Sequence, residues 1–164
     1  MEPEVSLIEK YLQTVCKCFT MTNIRCRGQK EIDLLAVNPR TEEKFHVESS
    51  VWINRRLNSS SLAKLVDKKF NDLRVKEKIG QFFGKSDYKK WLVVSPQDVN
   101  PQLDKYAGSL GIEIRYIEVM VRMIMRKMGR YGSRDHILRT LEIVKLKEEW
   151  DKIHLYRQTP VEKP

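Results

Sequence analysis

Two carboxylates interrupt runs that otherwise read as apolar strands: Asp33 in Glu31–Val37 (EIDLLAV) and Glu48 in Phe45–Ile53 (FHVESSVWI). A charged acid on a central strand is costly to desolvate unless it is paired or holds a metal. Successive strand side chains point to opposite faces, so Asp33 shares a face with Glu31, Leu35 and Val37, leaving Ile32, Leu34 and Ala36 on the other. By the same rule Glu48 lies with His46, Ser50 and Trp52. On adjacent strands the two acids repel, and a hard divalent cation removes both penalties. Mg²⁺ or Mn²⁺ accepts one or two protein carboxylates and fills its shell with water and phosphate oxygens. Such a cation polarises a phosphoryl oxygen and acidifies bound water, which is phosphodiester chemistry. The bland alternative keeps the acids as ion-paired strand residues, with Lys30 or Lys44 as partners. His46 is read first as a buried, hydrogen-bonded histidine and only second as a ligand or base.

These residues need elements to hold them. Pro3 between Glu2 and Glu4 suits a first helical turn, and Val5, Ile8, Leu12, Val15 and Phe19 recur at helical spacing. A short strand over Thr22–Arg27, a turn at Gly28–Lys30 and a hairpin turn at Asn38–Thr41 give a three-stranded meander. Ser59–Ser61 can cap a helix carrying Leu62, Leu65, Val66 and Phe70, and a second helix runs from Val75 to Phe83 and is ended by Gly84. Trp91–Val94, a helix over Pro101–Leu110 closed by Gly111, and Ile112–Ile117 form a strand-helix-strand unit with parallel strands. The expected fold class is α/β, a mixed central sheet flanked by helices with a C-terminal helical extension. Residues 1–118 are read as the core, 119–157 as the extension and 158–164 as a tail.

The order helix, three-strand meander, helix, strand, helix, strand, with Asp33 on the second strand and Glu48-Ser49-Ser50 on the third, resembles the restriction-endonuclease-like, or PD-(D/E)xK, nuclease superfamily. Its archaeal Holliday-junction-resolvase branch is the most similar in layout. The resemblance covers roughly Val5–Glu118. It implies a DNA endonuclease, Mg²⁺ or Mn²⁺ held by Asp33 and Glu48, and action as a homodimer on double-stranded or branched DNA. It also implies a helix glutamate in the site, at Glu9. The chain departs from the family where the motif lysine belongs, because Ser50 stands there and a hydroxyl supplies no positive charge. Lys69 is the expected substitute from the following helix, with Lys64 and Lys68 as rivals. Ser50 also admits a module that keeps the scaffold for DNA binding or assembly without turnover.

The charge agrees with an anionic partner: 31 Lys and Arg against 22 Asp and Glu give +9 over 164 residues. Candidate DNA contacts are Arg55, Arg56 and Asn58 after the third strand, and Arg122, Arg126, Lys127, Arg130 and Arg134 around the later glycine break. A protein-interaction module whose charge is incidental stays open. Met120, Met123, Met125 and Met128 are read as core or interface filler. Cys16, Cys18 and Cys26 with His46 have poor spacing for zinc. The acidic opening MEPEV and the absence of an apolar run of about 18 residues give the expectation of a cytoplasmic protein without membrane contact.

Overall fold

Alternating apolar residues build one five-stranded mixed sheet in the computed structural model, which describes residues 2–51, 57–95, 101–128 and 135–145. Its strands are β1 (Phe19–Arg25), β2 (Glu31–Val37), β3 (Lys44–Ser49), β4 (Lys89–Val94) and β5 (Glu113–Tyr116), neighbours in chain order. β1, β2 and β3 are antiparallel, as the meander requires, whereas β3–β4 and β4–β5 are parallel. The helices are α1 (Pro3–Thr14), α2 (Ser59–Val66), α3 (Leu73–Phe83), α4 (Pro101–Ser109) and α5 (Ile117–Lys127), with a π-helical turn at Asp67–Asn71. Residues 136–145 form a further helix, α6. The described part of the chain falls into two compact units that divide between Ile124 and Met125. In the second unit, Asp135 Oδ1 caps α6 by accepting from the Ile137 and Leu138 amides. No helix among the described residues is long and apolar enough to cross a membrane.

Helices cover both faces of the sheet, so β4 is apolar on both sides. Ile8 and Leu12 of α1 and Ile117 and Met120 of α5 pack on Leu34, Ala36, Phe45, Val47, Trp91 and Val93. On the other face Leu62, Val66 and Phe70 meet Leu92, Val94 and Ile114, while Val75, Ile79 and Phe83 meet Leu35. Phe70, Leu62 and Leu92 are fully buried, each contributing roughly 1.5–3 kcal/mol. Met120 is core, in line with the filler reading.

Three local expectations need correction. The helical stripe does not reach Phe19: α1 ends at Thr14, Lys17 takes a left-handed φ of 59°, and Phe19 opens β1 with 74% exposure. Ile32 does not join Leu34 and Ala36; it packs with Leu35, Val75 and Ile79, past the point where the β1–β2 pairing skips Asn23 and Asp33 and Asn23 takes a φ of 52°. The cap of α2 is not a serine but Asn58, whose Oδ1 accepts the Ser61 amide at 2.9 Å while Ser61 Oγ accepts the Asn58 amide at 2.9 Å. Asn58→Ala is therefore expected to cost about 1 kcal/mol, a drop of about 3 °C in Tm that thermal denaturation would register; an unchanged Tm would deny the cap its role.

Candidate functional site

Asp33 lies where the ladders on both sides of β2 release it. The β1–β2 register passes from Thr22↔Leu34 to Ile24↔Ile32, over Asn23 and Asp33, and the β2–β3 register ends at Leu34↔Val47. The side chain takes up the loose backbone instead: Asp33 Oδ2 accepts the Ser49 amide at 2.7 Å. One residue earlier on β3, Glu48 is wholly buried. The pairing Leu35↔His46 puts His46 on the face of Leu35, as the alternation requires.

Lys69 joins the two acids. Its Nζ donates to Asp33 Oδ2 at 2.9 Å and to Glu48 Oε2 at 2.7 Å. The π-helical turn makes this possible, since the widened turn at Asp67–Asn71 sinks Phe70 into the core and presents its neighbour Lys69 to the strands. Lys64 and Lys68 are exposed on the same segment. Lys30 and Lys44, the alternative partners, are engaged elsewhere, Lys30 with Asp72 at 3.3 Å and Lys44 over the Phe83 ring at 5.9 Å.

Behind Glu48 stands His46, equally buried, with Nε2 2.7 Å from Glu48 Oε1. Its Nδ1 has no hydrogen-bond partner among the described residues, and the ring lies 4.7 Å from Phe70 and 6.2 Å from Tyr88. The neutral tautomer with the proton on Nε2 fits this setting, because a protonated ring would bury a second N–H without an acceptor. The expectation of a hydrogen-bonded core histidine holds.

Burial pushes the Glu48 carboxyl above its ordinary range; the His46 hydrogen bond opposes this, the Asp33 charge adds to it, and Lys69 opposes it again. Burial alone would pull the Lys69 ammonium down, but the Glu48 and Asp33 charges outweigh it and leave Lys69 raised. Glu2, the residue that precedes α1, is raised first by the neighbouring Glu4 carboxylate and next by burial, with a smaller contribution from the Asp33 charge that Lys69 opposes. Glu9 is held differently, with Oε1 accepting from Thr20 Oγ1 at 2.9 Å and Gln13 Nε2 at 3.3 Å. Nothing in the sequence marked Glu2 beyond its place beside Pro3, where it read as a helix-terminal charge.

Ser50 is buried at the motif position and its amide donates to Val93 O at 2.8 Å, extending the β3–β4 pairing. Arg55, Arg56, Arg130 and Arg134 lie outside the described residues. Asn58 spends its side chain on the α2 cap. Arg122, Arg126 and Lys127 are exposed on α5.

No three His, Cys, Asp or Glu side chains converge among the described residues. The donors at hand are two carboxylates aimed at one cation, and no hydrogen bond among the described residues reaches Asp33 Oδ1. That set fits a hard divalent ion, which needs only one or two protein oxygens. Comparison with known proteins adds no assignment, since no family model, curated protein or solved structure matches this chain.

Proposed function

We propose that this chain is a divalent-metal-dependent DNA endonuclease of restriction-endonuclease-like fold. One observation carries the reading: Lys69 brings a positive charge to Asp33 and Glu48 from a helical turn, where Ser50 leaves the motif position without one. Asp33 and Glu48 would hold Mg²⁺ or Mn²⁺, which supplies Lewis acidity toward a phosphoryl oxygen and a more acidic bound water. Lys69, drawn off the acids when the ion enters, is placed to face the charge that develops on the phosphate. Asp33 stays oriented by the Ser49 amide and Glu48 by His46, so neither carboxylate has to be ordered at the moment of reaction. The substrate is double-stranded or branched DNA, attracted by the net positive charge, and a homodimer would present two such sites.

A second reading rests on the same contacts. With Lys69 permanently neutralising both acids, the scaffold serves as a DNA-binding or assembly module without turnover. Incubation with linear, branched and single-stranded DNA across Mg²⁺ and Mn²⁺ concentrations separates the two. Cleavage is expected in wild type and absent in Asp33→Asn, and calorimetric titration is expected to show Mn²⁺ affinity more than about 100-fold weaker in Glu48→Ala, beyond the loss typical of outer-shell partners. Equal or absent Mn²⁺ binding in wild type and Glu48→Ala would remove the enzyme reading.

A further inference from the structure

Beside the proposed centre, between the end of β1, the turn after it and α3, lies a hollow of about 500 Å³ lined by Arg25, Arg27, Arg74, Glu77, Lys78 and Gln81, with Cys26. Four cations line it with one carboxylate, Glu77, and of the four Arg74 is already paired, with Asp72, which leaves three. Arg25 and Arg27 make no salt bridge among the described residues, and Lys78 donates only to the neutral Gln81 amide at 3.1 Å while standing 5.5 Å over the Phe82 ring. Like charges gathered this closely repel unless an anion lies between them.

The wall is built rather than incidental. Arg74 is fixed by a bidentate pair with Asp72, Nε to Oδ1 at 2.9 Å and Nη2 to Oδ2 at 2.7 Å. Gly28, with φ 67°, lets the turn close over that guanidinium: a Cβ there would stand 2.7 Å from Arg74 Nη1. The hollow is also tied to the centre. Asp72 holds Lys30 at 3.3 Å, and Lys30 Nζ donates to the carbonyl of Lys68, the residue before Lys69, at 3.5 Å.

We infer that this hollow is a backbone-phosphate subsite for the DNA strand whose scissile bond sits at Asp33, Glu48 and Lys69, an inference that rests on the function proposed above. Arg25, Arg27 and Lys78 supply charge-assisted hydrogen bonds to non-bridging phosphate oxygens, and Arg74, already oriented, offers a further one. Contacts of this kind set the path and register of a strand without reading bases. The two arginines belong to RCRGQK, and the two cations of α3 lie about fifty residues on, so only the fold gathers them.

The test is equilibrium binding of labelled duplex and branched DNA in EDTA over a salt series, comparing wild type, Arg25→Gln/Arg27→Gln/Lys78→Gln, and a control with equal charge loss at exposed sites elsewhere, Arg40→Gln/Lys85→Gln/Lys105→Gln. The hollow variant is expected to lose affinity by about tenfold or more and to flatten the log-log salt slope by roughly one unit per contact removed. The control should change much less, and Mn²⁺ titration should be unaltered in both. Wild-type affinity and slope in the hollow variant would overturn the subsite and leave the DNA-binding reading standing; so would equal losses in hollow variant and control. Failure of wild-type protein to bind DNA would overturn both.

Discussion

Lys69→Met is expected to lower stability by about 2–3 kcal/mol, the cost of leaving a buried carboxylate without its cation, discounted because Lys69 is partly exposed. In Tm this is about 5–10 °C. The same change removes the charge offered to the phosphate, with an expected fall of about 10²–10³-fold in cleavage rate. The two losses part company when metal is added. A divalent ion at about a hundred times its Kd returns about 2.7 kcal/mol to the folded state, and it should stabilise the variant at least as much as wild type, because the ion no longer displaces an ammonium. Activity should stay low. Scanning calorimetry with and without Mn²⁺, alongside a cleavage assay, checks both; full stability in the metal-free variant would mean that the acids do not depend on Lys69.

Proton linkage gives this prediction a pH signature. Lys69 has a folded pKa above its unfolded value of about 10.4, so its contribution is complete below that pH and is lost as pH rises through the folded value. Methionine abolishes that alkaline loss. Glu48 is also raised, so the native state binds more protons than the unfolded state above about pH 4.3, and stability falls as pH rises toward the folded value. Without Lys69 that rise increases. The deficit of Lys69→Met should accordingly be smallest near the unfolded carboxyl range and grow toward neutral pH.

What could be read from the sequence was what depends on local pattern. The alternation in EIDLLAV and FHVESS put His46 on the side of Leu35, and the strand-helix-strand unit gave β4 and β5 as a parallel pair. Lys69 stood out among three lysines on one segment by its place beside the apolar stripe of Leu65, Val66 and Phe70, but spacing alone did not exclude Lys64 and Lys68. The selection comes from a π-helical turn, which depends on how Phe70 is buried under the sheet rather than on residue preference. The gap in pairing at Asn23 was hidden for a similar reason. The left-handed Asn23 stands where the β1–β2 pairing skips Asp33, and Asn tolerates that conformation without announcing it. Glu2 and the arginine hollow depend on contacts between segments far apart in the chain, which periodicity does not encode.

His46 supplies the sharpest separation of hydrogen bonding from packing. It bonds Glu48 from inside the core, so His46→Leu leaves Oε1 of a wholly buried carboxylate without its donor, at an expected cost of about 2–4 kcal/mol. His46→Gln keeps an N–H that can reach the same oxygen and should retain much of that stability. If the bond also orients the carboxylate for metal, the leucine variant should bind Mn²⁺ about 10–100-fold more weakly, with glutamine within about tenfold of wild type. Thermal unfolding and calorimetric titration of the two variants make the comparison. Equal damage from both substitutions would assign His46 to shape alone, through its contact with Phe70. Weakened folding with undiminished Mn²⁺ affinity in the leucine variant would show that Glu48 is aimed by Lys69 and the strand backbone, and that the histidine only fills the core behind it.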